Sequence, residues 1–315
     1  MTSREGKADA NLFVPAARPF LAAAATAEGG ELPRAVLLGL PFDGTVWFRR
    51  GTWKGPDAVR EMSDSLETYS PRLDRALDDR ESALFTDLGN IWPDQEGGAG
   101  EFSEAAVAGY LDKVEGAAAG LLRSGAFPFA IGGEHLVTLP LVRAAAARFP
   151  GLAVVDFDAH TDLRDDMEGR RLSHATVMRR ILEVIAPEDL HQFGIRSGTR
   201  AEFELARRGV GSFYETVGDN PKNVLPKLWG RAVYLTIDID VLDPAFAPGT
   251  GSPEPGGCAP AELFEALYLI AEEHRRGKLR VVGVDVVEVH PGLDQAGLTA
   301  IIAAKVVREA LLGLA

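Results

Sequence analysis

The stretch VVDFDAHTD, Val154–Asp162, begins as a buried strand and ends in metal-binding side chains. Its first residues are apolar on both faces of an extended chain, which is typical of a parallel strand covered by helices on both sides. Asp158, His160 and Asp162 follow at a spacing of two, so an extended chain would direct all three to one side. The stretch therefore predicts a parallel sheet with a charged site at the carboxyl end of this strand.

Similar apolar runs alternate with helix-like segments along the whole chain. The predicted strands are Ala35–Leu40, Ala83–Asp87, Phe127–Ile131, Leu152–Asp158, Leu190–Ile195, Gly211–Tyr214, Ala232–Asp238 and Leu279–Val287. The predicted helices are Pro56–Leu66, Ser103–Ser124, Leu136–Arg148, Thr176–Ile185, Arg200–Arg208, Pro260–Arg275 and Ala296–Leu312. Two long loops are predicted at 93–104 and 243–260. The alternation predicts an α/β fold with a mostly parallel sheet.

Length and composition limit the class of protein. The chain has 315 residues, a formal net charge of −13 and a single cysteine, Cys258, so no intrachain disulfide is expected. The acidic balance argues against nucleic-acid or anionic-membrane partners. No apolar run is long enough to predict a membrane span. We expect a cytoplasmic protein with an N-terminal arm at 1–30 and a single catalytic domain at 31–315.

Four predicted strands end in acid or imidazole side chains: GGEH (132–135), DAHTD (158–162), DIDVLDP (238–244) and Glu288. Clustered carboxylates repel one another unless positive charge is supplied, and two divalent ions would supply it. The candidate ligands share an imidazole or carboxylate group; they are His135, Asp158, His160, Asp162, Asp238 and Asp240. Oxygen-rich ligation with some imidazole suits Mn²⁺ better than structural Zn²⁺.

Each motif taken alone has a simpler interpretation. D-x-H-x-D occurs in capped loops, D-x-D-x-x-D-P in Asx-turns, and GGEH in tight turns or weak phosphate loops. The occurrence of all three at successive strand ends favours a metal site.

The three motifs resemble, in order and spacing, the signature motifs of the ureohydrolase (arginase/agmatinase) family, and DVVEV (285–289) resembles its fourth element. The resemblance implies a three-layer α/β/α arginase-like fold with an eight-stranded, mostly parallel sheet. It also implies two Mn²⁺ ions, hydrolysis of a guanidino group to urea and an amine, and assembly into homo-oligomers, trimers or hexamers.

The same resemblance implies a role for each ligand. His135 and Asp162 would bind one metal, His160 and Asp240 would bind the other, and the remaining two carboxylates, Asp158 and Asp238, would bridge them. Glu134 stands where the family more often has Asp, at a position that is not a ligand.

Three residues are implied in catalysis. Asp162 would orient the nucleophile and help proton transfer, and Glu288 would hold the guanidinium as a charge-assisted partner. His174, in LSHATVM, matches the loop histidine that shuttles protons; its alternative interpretation is a histidine at a helix start. Ala175 follows it where the family usually has Gly.

The substrate is the least constrained prediction. Two segments, 44–70 and 243–257, resemble the agmatinase branch, although Arg50 stands where Pro is usual. Arginases bind the amino-acid part of their substrate with a Ser-Gly-Asn run, and this chain has MEGRRLSH (167–174) in its place. Acidic residues in DLRDDMEG favour a cationic guanidino substrate; they are Asp165, Asp166 and Glu168. Nearby arginines could instead bind a carboxylate; they are Arg164, Arg170 and Arg171. We expect agmatine, cleaved to putrescine and urea in polyamine biosynthesis, with 4-guanidinobutyrate or arginine as alternatives.

Other classes of protein fit less well. A non-catalytic metal-binding protein would be expected to lose a ligand, Glu288 or His174, and all are present. A deacetylase of related fold would need a His-His pair, which the sequence lacks. The segment GLPFDGT (39–45) matches neither nucleotide-binding glycine pattern.

Overall fold

A computed structural model describes residues 12–24, 33–79, 84–94 and 100–315. Its strands are β1 (Ala35–Leu40), β2 (Tyr69–Ser70), β3 (Arg75–Ala76), β4 (Phe85–Asn90), β5 (Phe127–Gly132), β6 (Ala153–Phe157), β7 (Leu190–Phe193), β8 (Ser212–Tyr214), β9 (Ala232–Asp238) and β10 (Arg280–Val287). Eight of them form one sheet in the order β4-β1-β5-β10-β9-β6-β7-β8, and β2 and β3 form a separate hairpin. Every neighbouring pair in the large sheet is parallel. The predicted α/β fold is confirmed, with a sheet that is parallel throughout.

Eight α-helices accompany the strands in the part of the chain that the structure describes. They are α1 (Gly55–Ser63), α2 (Glu104–Ser124), α3 (Thr138–Arg148), α4 (Val177–Ile181), α5 (Arg200–Gly209), α6 (Asn220–Leu228), α7 (Pro260–Arg275) and α8 (Leu298–Leu314). Among the described residues, no helix is long and apolar enough to cross a membrane.

The helices cover the sheet on both faces and create two hydrophobic cores. In β1, Leu37 packs into the core shared with α7 and α8, while Val36 and Leu38 pack into the core shared with α2 and α3. All six residues of β1 are buried. Alternate strand residues point to opposite faces, so a strand buried on both sides must be apolar throughout, as the sequence indicated.

The described elements differ from the predicted ones in several places, of which helices α6 and α4 are two. Helix α6 was not predicted, because Pro221 and Pro226 within nine residues argue against a helix. Helix α4 ends at Ile181 instead of Ile185. The backbone N–H of Val184 bonds to the carbonyl of Ile181, so the chain tightens into a turn while Ile185 stays buried and preserves the helical pattern of apolar residues.

The first described segment packs along the edge strand β4. Val14 and Asn90 form an antiparallel bridge, and Ala24 bridges Thr86. Phe20 is 1% exposed and lies edge-on to a ring in β4. Residues 1–11 and 25–30 of the predicted arm, Ala83 of the second predicted strand, and residues 95–99 of the first predicted loop lie outside the described residues.

The second predicted loop, 243–260, has a defined shape set by one carboxylate. Asp243 accepts hydrogen bonds from the backbone N–H groups of Ala245, Gly256 and Gly257. The third Asp of DIDVLDP therefore organises the loop, in the manner of an Asx-turn, while the first two face the site described next.

Candidate active site

The four strands that end in acid or imidazole groups are adjacent in the sheet. They are β5, β10, β9 and β6, in that order, and they run parallel. Their carboxyl ends bring GGEH, Glu288, DIDVLDP and DAHTD to the middle of one edge of the sheet. This is the edge at which ligands bind in open α/β sheets.

Glycine allows the turn after β5. A Cβ atom on Gly133 would lie 2.1 Å from the carbonyl oxygen of Phe42. The N–H of Gly133 bonds to Leu40 and that of Glu134 to Phe42. Only glycine fits so close to another backbone. The tight turn places His135, two residues after Gly133, at the end of the sheet.

One group of possible ligands surrounds His135. Its Nδ1 atom lies 3.1 Å from Asp158 Oδ2, 3.3 Å from Asp162 Oδ2 and 3.4 Å from Asp238 Oδ2. The imidazole and Asp158 are at most 1% exposed. The ligand atoms of His135, Asp158 and Asp162 are close enough to one another to hold one metal ion between them.

A second group surrounds His160. Its Nδ1 atom lies 2.9 Å from Asp240 Oδ2 and 3.6 Å from Asp158 Oδ1. Asp158 therefore belongs to both groups and turns one oxygen towards each imidazole. The backbone N–H of His160 also donates to Asp158 Oδ1, at 2.6 Å, which fixes the carboxylate between the two groups.

The electrostatics of these groups call for a cation. His135 Nδ1 and Asp158 Oδ2 are buried and have no hydrogen-bond partner. Burial alone would lower the pKa of His135, but Asp158 and Asp162 outweigh it and hold that pKa well above its usual range. Burial, and then the charges of Asp240 and Asp158, raise the pKa of Asp238. A divalent ion would replace the protons that these groups otherwise take up, so the residues fit a metal site.

A chain of hydrogen bonds behind His135 fixes the orientation and the tautomer of its imidazole ring. Nε2 of His135 lies 3.0 Å from Thr236 Oγ1, and Thr236 donates to Asp285 Oδ1 at 2.6 Å. Tyr234 donates to the other oxygen of Asp285. Since the Thr236 proton goes to Asp285, the Thr236 oxygen accepts from His135 Nε2–H, and Nδ1 keeps its lone pair for a metal.

Two of the candidate catalytic residues have unusual backbones. Asp162 has φ 50° and Glu288 has φ 65°. The left-handed region is costly for side chains that carry a Cβ, and both residues lie where a strand end turns into the site. The surrounding hydrogen bonds hold them there.

Glu288 lies beside the His135 group without touching its imidazole. Its Oε1 accepts from the backbone N–H of His135 at 2.8 Å, and its own N–H bonds to Gly133. It is 8% exposed. Burial raises its pKa well above the usual range, against the lowering effect of the His135 N–H, and the charges of Glu134 and Asp240 raise it further. A cationic partner would stabilise the charged form of Glu288 against this effect of burial.

A cavity of about 270 Å³ opens above both groups. Its lining residues include Trp47, His160, Asp162, Arg164, His174, Ser197, Glu202, Asp238, Asp240 and Ser252. His174 therefore lines the same cavity as several of the possible ligands. Two of the four strand ends, DIDVLDP (238–244) and Glu288, are distant from it in the sequence. Burial, and then the charges of His160 and His135, lower its pKa to about 4.

Of the arginines and acidic entrance residues named from the sequence, Arg164 lies in the cavity lining. Its Nε lies 3.6 Å from Glu202 Oε2. Arg170 bonds instead to the Phe102 carbonyl, and Arg171 pairs with Glu183. The acidic residues of DLRDDMEG are engaged elsewhere or exposed: Asp165 pairs with Arg180, Asp166 accepts from Gly169, and Glu168 is exposed.

Sequence reasoning missed several residues of this region. Glu202 forms a capping box with Thr199, and in a sequence this pattern indicates only a helix start. Its second contact, in which it accepts a hydrogen bond from the Thr161 hydroxyl, does not follow from that pattern. Asp285, which is 0% exposed, is another of these residues. A carboxylate inside the apolar run RVVGVDVV was the available signal, because a buried Asp needs a partner.

The remaining histidines and the cysteine lie outside the cavity lining. His191 is buried in β7, and His274 contacts Arg34. His290 Nε2 lies 2.8 Å from the Arg50 carbonyl, where it fastens the 44–52 loop. Burial raises the pKa of the Cys258 thiol to about 12, so it is unreactive at neutral pH.

Comparisons with known proteins agree with this geometry. The model of the arginase family matches residues 33–313. An agmatinase of Bacillus anthracis is 45% identical over 284 residues, which cover 90% of this chain and 92% of the relative. An agmatinase of Bacillus subtilis is 46% identical over 280 residues, or 89% and 91% of the two chains. The crystal structure of agmatine ureohydrolase of Thermoplasma volcanium superposes with a TM-score of 0.77 at 28% identity, covering 94% of each chain.

The parallel sheet and the buried His/Asp groups at its carboxyl edge define a metal-dependent hydrolase, and the chain belongs to the arginase family. Within that family it is an agmatinase-like ureohydrolase, a class that acts on linear amidines.

Proposed function

We propose that this enzyme hydrolyses agmatine to putrescine and urea at a site that holds two Mn²⁺ ions. The observation that carries the proposal is the position of Asp158, which turns one oxygen to each of two imidazole groups, the buried His135 and the partly buried His160, beneath one cavity. A carboxylate shared in this way is the arrangement expected of a two-metal hydrolase. The agmatinases that are 45% identical support the choice of substrate.

The proposed ligand sets follow the two groups. His135 and Asp162 would hold one ion, and His160 and Asp240 would hold the other. Asp158 and Asp238 would serve both. The distances of 2.9–3.6 Å between the ligand atoms of these groups support the assignment, and imidazole combined with carboxylate oxygen suits Mn²⁺.

Three residues act on the substrate and its protons. When bound, the two ions lower the pKa of water and so supply a nucleophile near neutral pH. Asp162 orients that nucleophile and accepts its proton. Glu288 holds the guanidinium through charge-assisted hydrogen bonds, which offset the cost of its burial. His174, on the cavity wall, passes a proton to the leaving amine.

The cavity wall favours a substrate whose tail is an amine. Arg164 is the residue that could bind a tail carboxylate, but Glu202 lies 3.6 Å from it and neutralises its charge. Because Arg164 is already paired, it offers a tail carboxylate little attraction, whereas an ammonium tail needs no cationic partner on the wall. This supports agmatine over arginine and 4-guanidinobutyrate.

We propose that residues 31–315 form one catalytic domain that follows an N-terminal arm at 1–30, whose described residues 12–24 lie along β4. The bridges from Val14 and Ala24 to β4 support the role of the arm. We also propose that the enzyme works in the cytoplasm as a homo-oligomer in polyamine biosynthesis.

The metal requirement is tested by chelation and reloading. We expect the metal-depleted protein to release no urea from agmatine and added Mn²⁺ to restore activity to a greater extent than Ni²⁺ or Fe²⁺. Asp158→Asn should lose at least ~100-fold in kcat, because it removes the charge between the two ions. Asp219→Asn, an exposed surface carboxylate paired with Lys222, is the matched control and should behave like the parent. Normal turnover by the fully chelated protein would refute the metal mechanism.

The substrate is tested by urea release from agmatine, arginine and 4-guanidinobutyrate under the same Mn²⁺ conditions. We expect kcat/KM for agmatine to exceed that for arginine at least ~10-fold, equivalent to ~1.4 kcal/mol in the transition state. Equal or faster hydrolysis of either carboxylate-bearing compound would exclude agmatine as the preferred substrate and leave the hydrolytic chemistry in place.

A further inference from the structure

A side-chain hydroxyl connects the turn after β5 to the loop that carries His174. The N–H of Thr45 donates to Glu134 Oε2 at 2.8 Å, and the Thr45 hydroxyl lies within hydrogen-bond distance of Glu134 Oε1. The same hydroxyl oxygen accepts the backbone N–H of His174 at 3.1 Å. We call these three residues, Glu134, Thr45 and His174, the threonine bracket.

All the anchoring atoms of the bracket are buried. Glu134 is 0% exposed and Thr45 is 8% exposed. Glu134 holds Thr45 through two hydrogen bonds, which fix the direction of the hydroxyl oxygen. That oxygen keeps a lone pair for the His174 N–H whether or not Glu134 carries a proton. The position of the acceptor is thus set by the turn that also places the adjacent residue, His135.

The bracket is one of few contacts that hold His174 from outside its own turn. Within the turn, the hydroxyl of Thr176 bonds to the backbone of Ser173. From outside, the N–H of Arg164 reaches the carbonyl of Ala175 at 3.3 Å. The bond from Thr45 falls on His174 itself and is made by a side chain. Thr45→Val removes it together with the bond of the hydroxyl to Glu134, and leaves the bond from the Thr45 N–H to Glu134 in place.

We propose that Thr45 is a positioning residue for His174, and that Glu134 orients Thr45 for this purpose. The bracket ties the proton-transferring ring to the strand end that carries a metal ligand, so the two keep a fixed separation during turnover. This inference rests on the proposed role of His174. A misplacement of about 1 Å at a reacting group lowers turnover by up to about 100-fold, so a bond that prevents it acts on kcat.

Four variants test the proposal by steady-state urea release and metal analysis. Thr45→Val keeps the shape and the backbone N–H but loses the hydroxyl; we expect kcat to fall about 10-fold, with KM within about 2-fold and unchanged metal content. Thr45→Ser retains the hydroxyl and should keep the kcat of the parent. Thr86→Val removes another buried hydroxyl, bonded to Ala24 in the edge strand, and should leave kcat unchanged. His174→Ala measures the contribution of the ring.

The decisive variant combines Thr45→Val with His174→Ala. If Thr45 acts through His174, Thr45→Val changes kcat less than about 2-fold once the ring is gone. An equal fall of kcat in both backgrounds, or no fall in either, would overturn the proposal. Failure of the parent to release urea from any guanidino compound would instead refute the proposed function.

Hydrogen exchange provides a readout that does not depend on activity. Thr45→Val should speed amide exchange of the peptide containing His174 at least about 10-fold, whereas Thr86→Val should not. Unchanged exchange in Thr45→Val would show that the bracket does not hold the loop and would overturn the proposal even if kcat fell.

Discussion

At the scale of single residues, the site depends on side chains that never contact a ligand. In the proposed metal site, His135 would offer Nδ1 to the ion because Thr236 accepts its Nε2–H, and Thr236 does so because Asp285 takes the proton of its hydroxyl. Partners of this kind set both the tautomer and the orientation of a metal-binding imidazole.

Removing the Thr236 hydroxyl should therefore weaken metal binding. We expect Thr236→Val to lower the affinity for the first Mn²⁺ at least about 10-fold, since the ring loses the partner that fixes Nδ1 as the ligand atom. Equilibrium dialysis against buffered Mn²⁺ measures the change. Thr86→Val is the control for a lost buried hydroxyl, and equal affinities in the two variants would contradict the assigned role of Thr236.

At the scale of elements, capping residues decide where several helices begin. Helix α2 follows Ser103, whose hydroxyl accepts the N–H of Ala106 at 3.2 Å. Helix α5 begins with the reciprocal pair Thr199 and Glu202. A helix start leaves N–H groups without partners, and these side chains supply the acceptors.

We expect Ser103→Ala to lower the free energy of unfolding by about 1 kcal/mol, because the N–H of Ala106 loses its acceptor. Urea unfolding followed by circular dichroism measures this. Ser65→Ala removes an exposed hydroxyl bonded to the Met62 carbonyl and should change stability by less than about 0.5 kcal/mol. A similar loss in both variants would show that the cap is not the cause.

At the scale of the whole molecule, buried titratable groups make stability depend on pH. His191 is 1% exposed, and its Nδ1 lies 3.1 Å from Ser212 Oγ. Burial, and then the charges of Lys227 and Arg231, lower its pKa to about 4. Its unfolded pKa is about 6.5, so between pH 4 and 6.5 the unfolded chain binds more protons at this position. His191 therefore contributes stability above pH 6.5 that is lost as the pH falls towards 4.

His191→Asn should flatten this dependence. We expect the free energy of unfolding of the metal-free variant to fall less steeply than that of the parent between pH 6.5 and 4, by up to about 1.4 kcal/mol per pH unit. Urea unfolding at a series of pH values gives both curves, and their parallel course above pH 7 is the internal control. Parallel curves across the lower range would mean that His191 titrates normally in the folded protein.

The sequence by itself determined most of the elements and the identity of the site chemistry. Strands such as AVLLGL are short runs that are apolar at every position, whereas the helical segments are longer, so the length of a run separates most strands from helices without reference to distant residues. Asp158, His160 and Asp162 follow a strand directly, so their proximity needs only local geometry. Helix α6 escaped prediction because its prolines oppose the local pattern, whereas its buried face, with Val224 and Leu228, packs into the core.

Only the tertiary structure decided which strands are neighbours. β5, β10, β9 and β6 are far apart in the sequence, yet their adjacency makes Asp158 a member of both imidazole groups. The pairing of Arg164 with Glu202 and the contact of Thr45 with His174 likewise join distant segments. Such contacts arise from the packing of whole elements, since local periodicity fixes which face of a strand or helix is buried but not which partner covers it.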